Sequence, residues 1–348
     1  MFGQIVIGPP GSGKSTYCHG MLQFMSSIGR LCSVINLDPA NDRLNYDCAF
    51  DIRDFVTLEE VMDDFSLGPN GGLMFALESF TMDAEPVRKS GLDLIVEKIV
   101  QVSNHGKNYL IFDCPGQVEL FTHSQVFPKL FRRLTSKQHD LRLCVVSLID
   151  SFYLTSPSQY ISVLLLALRS MLQLDLPHIN VFSKIDLLKN YGALPFNLDF
   201  YTEVQDLHYL IPHIEKENRI HSKYNKLTDA IAELVEEFNL VSFEVLAVED
   251  KQSMIRLLSV IDKANGYLFG ATEIGGDTVW VEATRQSGPS DMVIDIQERW
   301  IDNKDRYDQK ARKEQEDRLE EQQFLDRELG EDEELELAMK EWDERNSK

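Results

Sequence analysis

No apolar run in this 348-residue chain reaches 18 residues, and no charged amino-terminal segment leads into a long apolar one. A membrane-spanning or secreted protein is therefore not expected, and no organelle-targeting signal stands out. Long basic runs are also missing. Against 57 Asp and Glu there are 35 Lys and Arg, a formal net charge of −22, of which the segment 301–348 contributes −8. Like-charge repulsion disfavours direct binding to a nucleic-acid backbone. Cysteine is sparse, with Cys18, Cys32, Cys48, Cys114 and Cys144 only, and none forms a CxxC. An odd count without metal-ligand spacing implies free thiols in a reducing compartment, the cytoplasm. No internal repeat is apparent. The length suffices for one large α/β domain or two small ones.

What is present begins almost at once. Gly8-Pro9-Pro10-Gly11-Ser12-Gly13-Lys14-Ser15 follows the apolar run Gln4–Ile7 and precedes Cys18, Met21, Leu22 and Met25 at helical spacing. This is a phosphate loop between a strand and a helix. Gly11, Ser12, Gly13, Lys14, Ser15 and Thr16 are expected to cradle phosphates with backbone N–H groups and the helix N-terminus. Lys14 reaches the β- and γ-phosphates, and the Ser15 hydroxyl is a Mg²⁺ ligand.

Further along, Leu31–Leu37 reads as a buried strand ending in Asp38-Pro39-Ala40. Thr57-Leu58-Glu59-Glu60 is a capping box opening a helix to about Phe65. Gly68-Pro69-Asn70-Gly71-Gly72 reads as a loop before a helical segment from Leu73 to Phe80, and Leu92, Ile95, Val96, Ile99 and Val100 mark another helix. The third strand is expected at Tyr109–Phe112. About seventy residues separate it from the second, so the two should run parallel. That order resembles the branch of signal-recognition GTPases and MinD-like ATPases rather than the Ras-like branch.

The fourth strand is expected at Leu143–Ile149, after a helix near Ser124–Leu134; a long helix then runs from Ser156-Pro157 to Met171. A fifth strand, Ile179–Phe182, leads into Ser183-Lys184-Ile185-Asp186. Short helices are expected in an insertion at 188–222, then a helix at Leu227–Phe238, a sixth strand at Leu240–Val248 and a closing helix at Ser253–Leu268. The fold class is thus α/β: a P-loop NTPase with a mostly parallel sheet flanked by helices, helical insertions and a charged tail. The domain spans 1–270. A linker with a β-prone run at Thr278–Val281 follows at 271–303. The segment 304–348 reads as a solvated helix or disorder, with Leu335, Met339 and Trp342 on one stripe.

Asp113-Cys114-Pro115-Gly116 fits D-x-x-G: Asp113 holds Mg²⁺ directly or through water, and the Gly116 N–H senses the γ-phosphate. Ser183-Lys184-Ile185-Asp186 resembles the guanine motif N/T-K-x-D, with Ser183 in the usual Asn position. The Asp186 carboxylate accepts from guanine N1–H and N2–H₂, a donor pair that adenine lacks. Bonds to a charged group contribute about 1.5–3 kcal/mol, or roughly 10- to 150-fold discrimination. The Lys184 stem lies against the base, and Ala247 is a candidate backbone contact to its edge. Asp38 either fixes the turn after its strand or handles the catalytic water, as a Mg²⁺ ligand or a proton acceptor. Gln117 and Glu119 are the other water-positioning candidates, and Glu119 also reads as a plain solvated charge.

With Gly68-Pro69-Asn70 between the second and third strands, and these motifs in unbroken order over about residues 3–270, the chain resembles the GPN-loop GTPases. Gly8-Pro9-Pro10-Gly11, Pro177–Asn180 and Tyr201–Val204 look most like the second of the family's three eukaryotic paralogues, in a fungal-type form. The resemblance implies a GTP/GDP-binding, Mg²⁺-dependent GTPase working as a homodimer or as a heterodimer with a sister chain. It implies that Asn70 contacts phosphate in the partner's site, while Asp38, Gln117 and Glu119 handle water in their own. It also implies a role in assembly and nuclear import of RNA polymerase II and III, from a cytoplasmic location with shuttling to the nucleus. MinD-like relatives carry a second lysine where this chain has Pro9, so slow turnover is expected of the isolated chain. Two rivals are a nucleotide-stabilised assembly adaptor with incidental turnover and a P-loop kinase; the Lys184/Asp186 pair argues against the kinase.

Overall fold

Phe2–Ile7 form β1, buried along its whole length, because both faces of the sheet are covered by helices. Ile5 and Ile7 pack with one layer, and Phe2 and Val6 with the other. Gln4 lies on the second face, where its side-chain oxygen accepts from the Tyr17 hydroxyl at 2.9 Å. The computed structural model describes residues 1–41, 44–80, 91–104, 109–217, 225–270, 296–310 and 312–313. The chain divides into two units, Met1–Val293 and Ile294–Lys348.

In the first unit β1 is followed by α1 (Lys14–Ser27), β2 (Cys32–Asn36), β3 (Cys48–Asp51), α2 (Leu58–Phe65), α3 (Pro69–Ser79) and α4 (Gly91–Asn104). Then come β4 (Tyr109–Asp113), α5 (Glu119–Thr122), α6 (Val126–Leu134), β5 (Arg142–Asp150), α7 (Pro157–Leu174) and β6 (His178–Ser183). The short helices α8 (Leu188–Tyr191), α9 (Leu198–Glu203) and α10 (Ile211–Glu217) precede α11 (Asn225–Phe238), β7 (Phe243–Val245), α12 (Lys251–Ala264) and α13 (Tyr267–Gly270). The strands form one sheet in the order β3-β2-β4-β1-β5-β6-β7, and every described pair is parallel. The expected parallel pairing of the second strand with the strand at 109 is therefore present, from Cys32 opposite Tyr109 to Asn36 opposite Asp113.

Two expectations need correction. Cys48–Asp51, not singled out in the sequence, is an edge strand beside β2, so the sheet has seven strands rather than six. Pro69-Asn70-Gly71-Gly72 is not a loop but the first turn of α3. Gly68 is its extended N-cap, Pro69 stands where a missing N–H costs nothing, and the Gly72 N–H closes on the Gly68 carbonyl at 2.7 Å. The capping box at Thr57 forms as expected, with Glu60 answering the Thr57 N–H. The final strand is shorter than the apolar run around it, Phe243–Val245 only.

The insertion is part of the core. Leu198, Tyr201, Leu207, Leu210 and Ile214 are buried, and the Tyr160 hydroxyl of α7 donates to the Tyr201 carbonyl at 2.9 Å. Arg30 after α1 forms a buried bidentate pair with Asp262 of α12, at 2.9 and 2.7 Å, and its guanidinium lies 3.8 Å from the Tyr267 ring centre. In the second unit, Glu298–Asp302 form a π-type turn and 304–310 are helical; Asp308 accepts from Arg299 and Lys304. Residues 188–217 of the insertion are described; its remaining residues, the β-prone run at Thr278–Val281 and the Leu335/Met339/Trp342 stripe lie outside the described residues.

Candidate nucleotide site

The carboxyl ends of β1, β2, β4, β6 and β7 carry the segments singled out above, at the edge of a parallel sheet where ligands collect. From the end of β1 the chain turns through Gly8–Gly13 into α1, whose N-cap is Gly13. Lys14 is 9% exposed, and its ammonium donates to the carbonyls of Gly8 and Pro9 at 3.1 and 3.2 Å. Burial pulls its pKa below the ordinary lysine value, while the charges of Asp113 and Asp38 oppose that shift. The end of β4 closes against this loop. A Cβ on Gly116 would stand 2.9 Å from Lys14 Nζ and 3.1 Å from Pro10 Cα, so any side chain there would push against Lys14 and the loop backbone.

Asp113 is 1% exposed. Burial raises its pKa, and hydrogen bonds from Tyr46 and Ser15 and the charge of Lys14 counter the rise. Tyr46 Oη donates to its Oδ2 at 2.6 Å. A buried carboxylate beside a serine hydroxyl is an oxygen donor set suited to a hard cation that keeps phosphate and water ligands. Among the described residues no group of three or more His, Cys, Asp or Glu could hold a metal by itself. Asp38 shows its turn-fixing role: Oδ1 accepts from the Ala40 N–H at 2.9 Å, and its own N–H donates to Asn36 Oδ1 at 3.2 Å.

Gln117 and Asn70 come together, Gln117 Nε2 donating to Asn70 Oδ1 at 2.9 Å. Gly68, Pro69, Asn70 and Glu119 are exposed, with Glu119 opening α5. The far end of α5 is held by Arg169 of α7, whose Nε and Nη2 both donate to the Thr122 carbonyl, at 3.0 and 2.7 Å. Pro9 lines a small, largely apolar cavity with Val118, Phe121 and Ala167. Arg169 and Tyr46 were not singled out in the sequence: each acts on one residue far away in the chain, and no local spacing signals it.

Across the phosphate loop, a cleft of ≈160 Å³ is lined by Thr16, Lys184, Asp186, Leu246, Val248 and Glu249, among others. Lys184 adopts a left-handed backbone, φ 56°. Its ammonium donates to the Gly11 carbonyl at 2.6 Å and pairs with Asp150 Oδ2 at 2.8 Å, which lays its stem along the cleft. Ser183, the departure from Asn, donates to the Ser12 carbonyl at 2.7 Å and lies 3.2 Å from that of Ile149. This hydroxyl is thus a second tie, beside Lys184, between the motif and the phosphate loop. The Ala247 backbone is engaged elsewhere. Its N–H donates to Ser253 Oγ and its carbonyl accepts from the Ser253 hydroxyl and the Asp250 N–H, so the neighbouring Leu246, Val248 and Glu249 form the wall.

A family model described as "Conserved hypothetical ATP binding protein" matches residues 6–267. GPN-loop GTPase 2 of Saccharomyces cerevisiae is 59% identical over 348 residues, 99% of this chain and 97% of that protein. GPN-loop GTPase 2 of Schizosaccharomyces pombe is 52% identical over 308 residues, 88% and 94% of the two chains. The Danio rerio protein of that name is 48% identical over 272 residues, 78% and 83%. A GTPase from Pyrococcus abyssi, solved in its apo form, superposes with a TM-score of 0.59 at 21% identity, covering 76% of this chain and 97% of its own; that likeness speaks for the fold. The model's description names ATP, whereas a carboxylate at Asp186 suits guanine and the curated relatives are named as GTPases. On this evidence the chain belongs to the GPN-loop GTPases, a family of GTP hydrolases.

Proposed function

We propose that this protein is a Mg²⁺-dependent, dimeric GTPase switch that supports assembly and nuclear import of RNA polymerase II and III, acting from the cytoplasm and shuttling to the nucleus. The observation that carries the guanine chemistry is the cleft in which Lys184 is pinned between Gly11 and Asp150 while Asp186 lines the same wall. The polymerase role, the dimer and the location rest on family resemblance. The net charge of −22 disfavours a nucleic-acid target, and no described helix is long and apolar enough to cross a membrane.

The chain's own groups take most of the roles in the reaction. Water attacks the γ-phosphorus, the bond to the β–γ bridging oxygen breaks, and GDP and phosphate leave. Lys14 exchanges its two carbonyl acceptors for β- and γ-phosphate oxygens and holds the growing charge on the leaving oxygen. Gly116 offers its N–H to the γ-phosphate. Gln117 orients the water, and the Asp38 carboxylate takes its proton, with Glu119 as the nearby alternative acceptor. Ser15 and Asp113 would hold Mg²⁺, which when bound would supply neutralisation of the phosphate charge. Asn70 is assigned to the partner's site, where a neutral amide donates to phosphate. With Pro9 beside an apolar cavity, no second cation comes from that position, so turnover by the isolated chain is slow.

The test is nucleotide-dependent co-purification. Full-length protein loaded with GDP or with a non-hydrolysable GTP analogue should retain RNA polymerase II subunits to different extents, and removal of 301–348 reports the tail's share. Equal retention in both states would count against a switch. Strong GTP-dependent retention that persists in a variant without turnover would instead favour the adaptor reading.

A further inference from the structure

The Tyr46 hydroxyl has one proton to give, and it gives it to a carboxylate in the nucleotide site: Oη to Asp113 Oδ2 is 2.6 Å. Tyr46 is 7% exposed and Asp113 1%. Its ring sits in the core layer that contains Tyr17, Cys18, Met21 and Val34. A hydrogen bond to an ionised acceptor at this length, away from water, is of the strong kind. It also constrains geometry, because the terminal torsion of an aspartate is broad and nearly two-fold when nothing holds it.

The same stretch of chain makes a second contact with the site, longer and between neutral groups. Asn41 Nδ2 donates to Ser15 Oγ at 3.4 Å, and Asn41 is held by Arg53, whose Nη1 donates to its carbonyl at 2.8 Å. Arg53 is itself anchored on Asp51 of β3, with Nε and Nη2 at 2.9 and 2.6 Å from Oδ2. Asn36 Nδ2 binds the other oxygen of Asp51 at 2.9 Å. The connection from Asp38 to β3 therefore reaches Ser15 and Asp113, the two residues assigned to the cation, and is braced against the sheet edge.

We propose that Tyr46 is a positioning residue of the Mg²⁺ site. Its hydroxyl occupies one oxygen of Asp113 and leaves the other for Ser15 and the cation. It thereby couples occupancy of the site to the segment that begins at Asp38. The inference rests on the Mg²⁺ reading of the proposed function, and nothing in the motif set marks the residue.

The experiment follows release of fluorescently labelled GDP from the full-length protein while Mg²⁺ is titrated, in the parent and in Tyr46→Phe. The variant keeps the ring and loses only the hydroxyl. The Mg²⁺ concentration that half-maximally slows release should rise about tenfold, the scale of a lost bond to a charged group. Release in excess EDTA should match the parent. An unchanged Mg²⁺ midpoint overturns the proposal, and so does a variant that releases faster by the same factor with and without Mg²⁺, the mark of a merely structural role. In an Asp113→Asn background, Tyr46→Phe should add no further shift; an undiminished shift there overturns the proposal too. If release from the parent itself ignores Mg²⁺, the metal reading fails and takes this inference with it, a result distinct from a Mg²⁺-responsive parent matched by its variant.

Discussion

Gln117 Nε2 donates to Asn70 Oδ1 at 2.9 Å, joining the first turn of α3 to the segment that follows β4 within one chain. The bond uses the amide oxygen of Asn70; contact with a phosphate uses its amide nitrogen. Asn70 thus lies between Gln117, proposed above to orient the water, and solvent, from which the proposed dimer would present a partner's nucleotide.

That placement leads to a complementation experiment. Asn70→Ala should lower kcat by at least about tenfold with little change in nucleotide affinity. A dimer joining an Asn70→Ala subunit to a Lys14→Ala subunit should recover turnover, because the second subunit binds no nucleotide but still supplies Asn70. Absence of recovery places the role of Asn70 in its own site.

Gly20 on α1 and Val248 on the loop after β7 test the cleft by sterics. A Cβ on Gly20 would overlap Val248 Cγ1, and Val248 forms part of the cleft wall. Gly20→Ala should weaken GDP binding several-fold, although alanine favours the helix by about 1 kcal/mol. Val248→Ala should restore affinity in the double variant. Isothermal titration of the four proteins measures the coupling.

Much of this arrangement was legible in sequence. The P-loop, D-x-x-G and S-K-x-D carry their chemistry in contiguous residues, and the long connection between β2 and β4 excluded a hairpin. β3 was hidden because only Phe50 of its four residues is buried, which leaves no periodic signal. The start of α3 was hidden because Gly-Pro-Asn-Gly-Gly has the chemistry of a turn, while Pro at the first helical position serves equally well. Tyr46, Arg169 and Asp150 act across gaps of 67, 47 and 34 residues. Only the folded sheet brings those groups together.

His178 should govern part of the acid limb of stability. Both its ring nitrogens are buried without a hydrogen-bond partner among the described residues, and burial lowers its pKa to about 4 from 6.5. The folded ring stays neutral while the unfolded one binds a proton. Stability is therefore full above pH 6.5 and is lost as pH falls towards 4, by up to ~3 kcal/mol. Melting temperatures of His178→Gln should fall less than those of the parent across that window, and parallel curves would refute the assignment.

The most direct test of the central claim, that this is a guanine-nucleotide site read by Asp186, is the base preference of Asp186→Asn measured by titration with GDP, ADP and xanthosine diphosphate. The parent should prefer GDP over ADP by at least about tenfold. In the variant the carboxamide loses the pair of acceptors for guanine N1–H and N2–H₂ and gains a donor for the 2-oxo group of xanthine, so preference should move to xanthosine diphosphate. A parent that binds ADP as tightly as GDP, or a variant whose order of affinities is unchanged, would contradict the account.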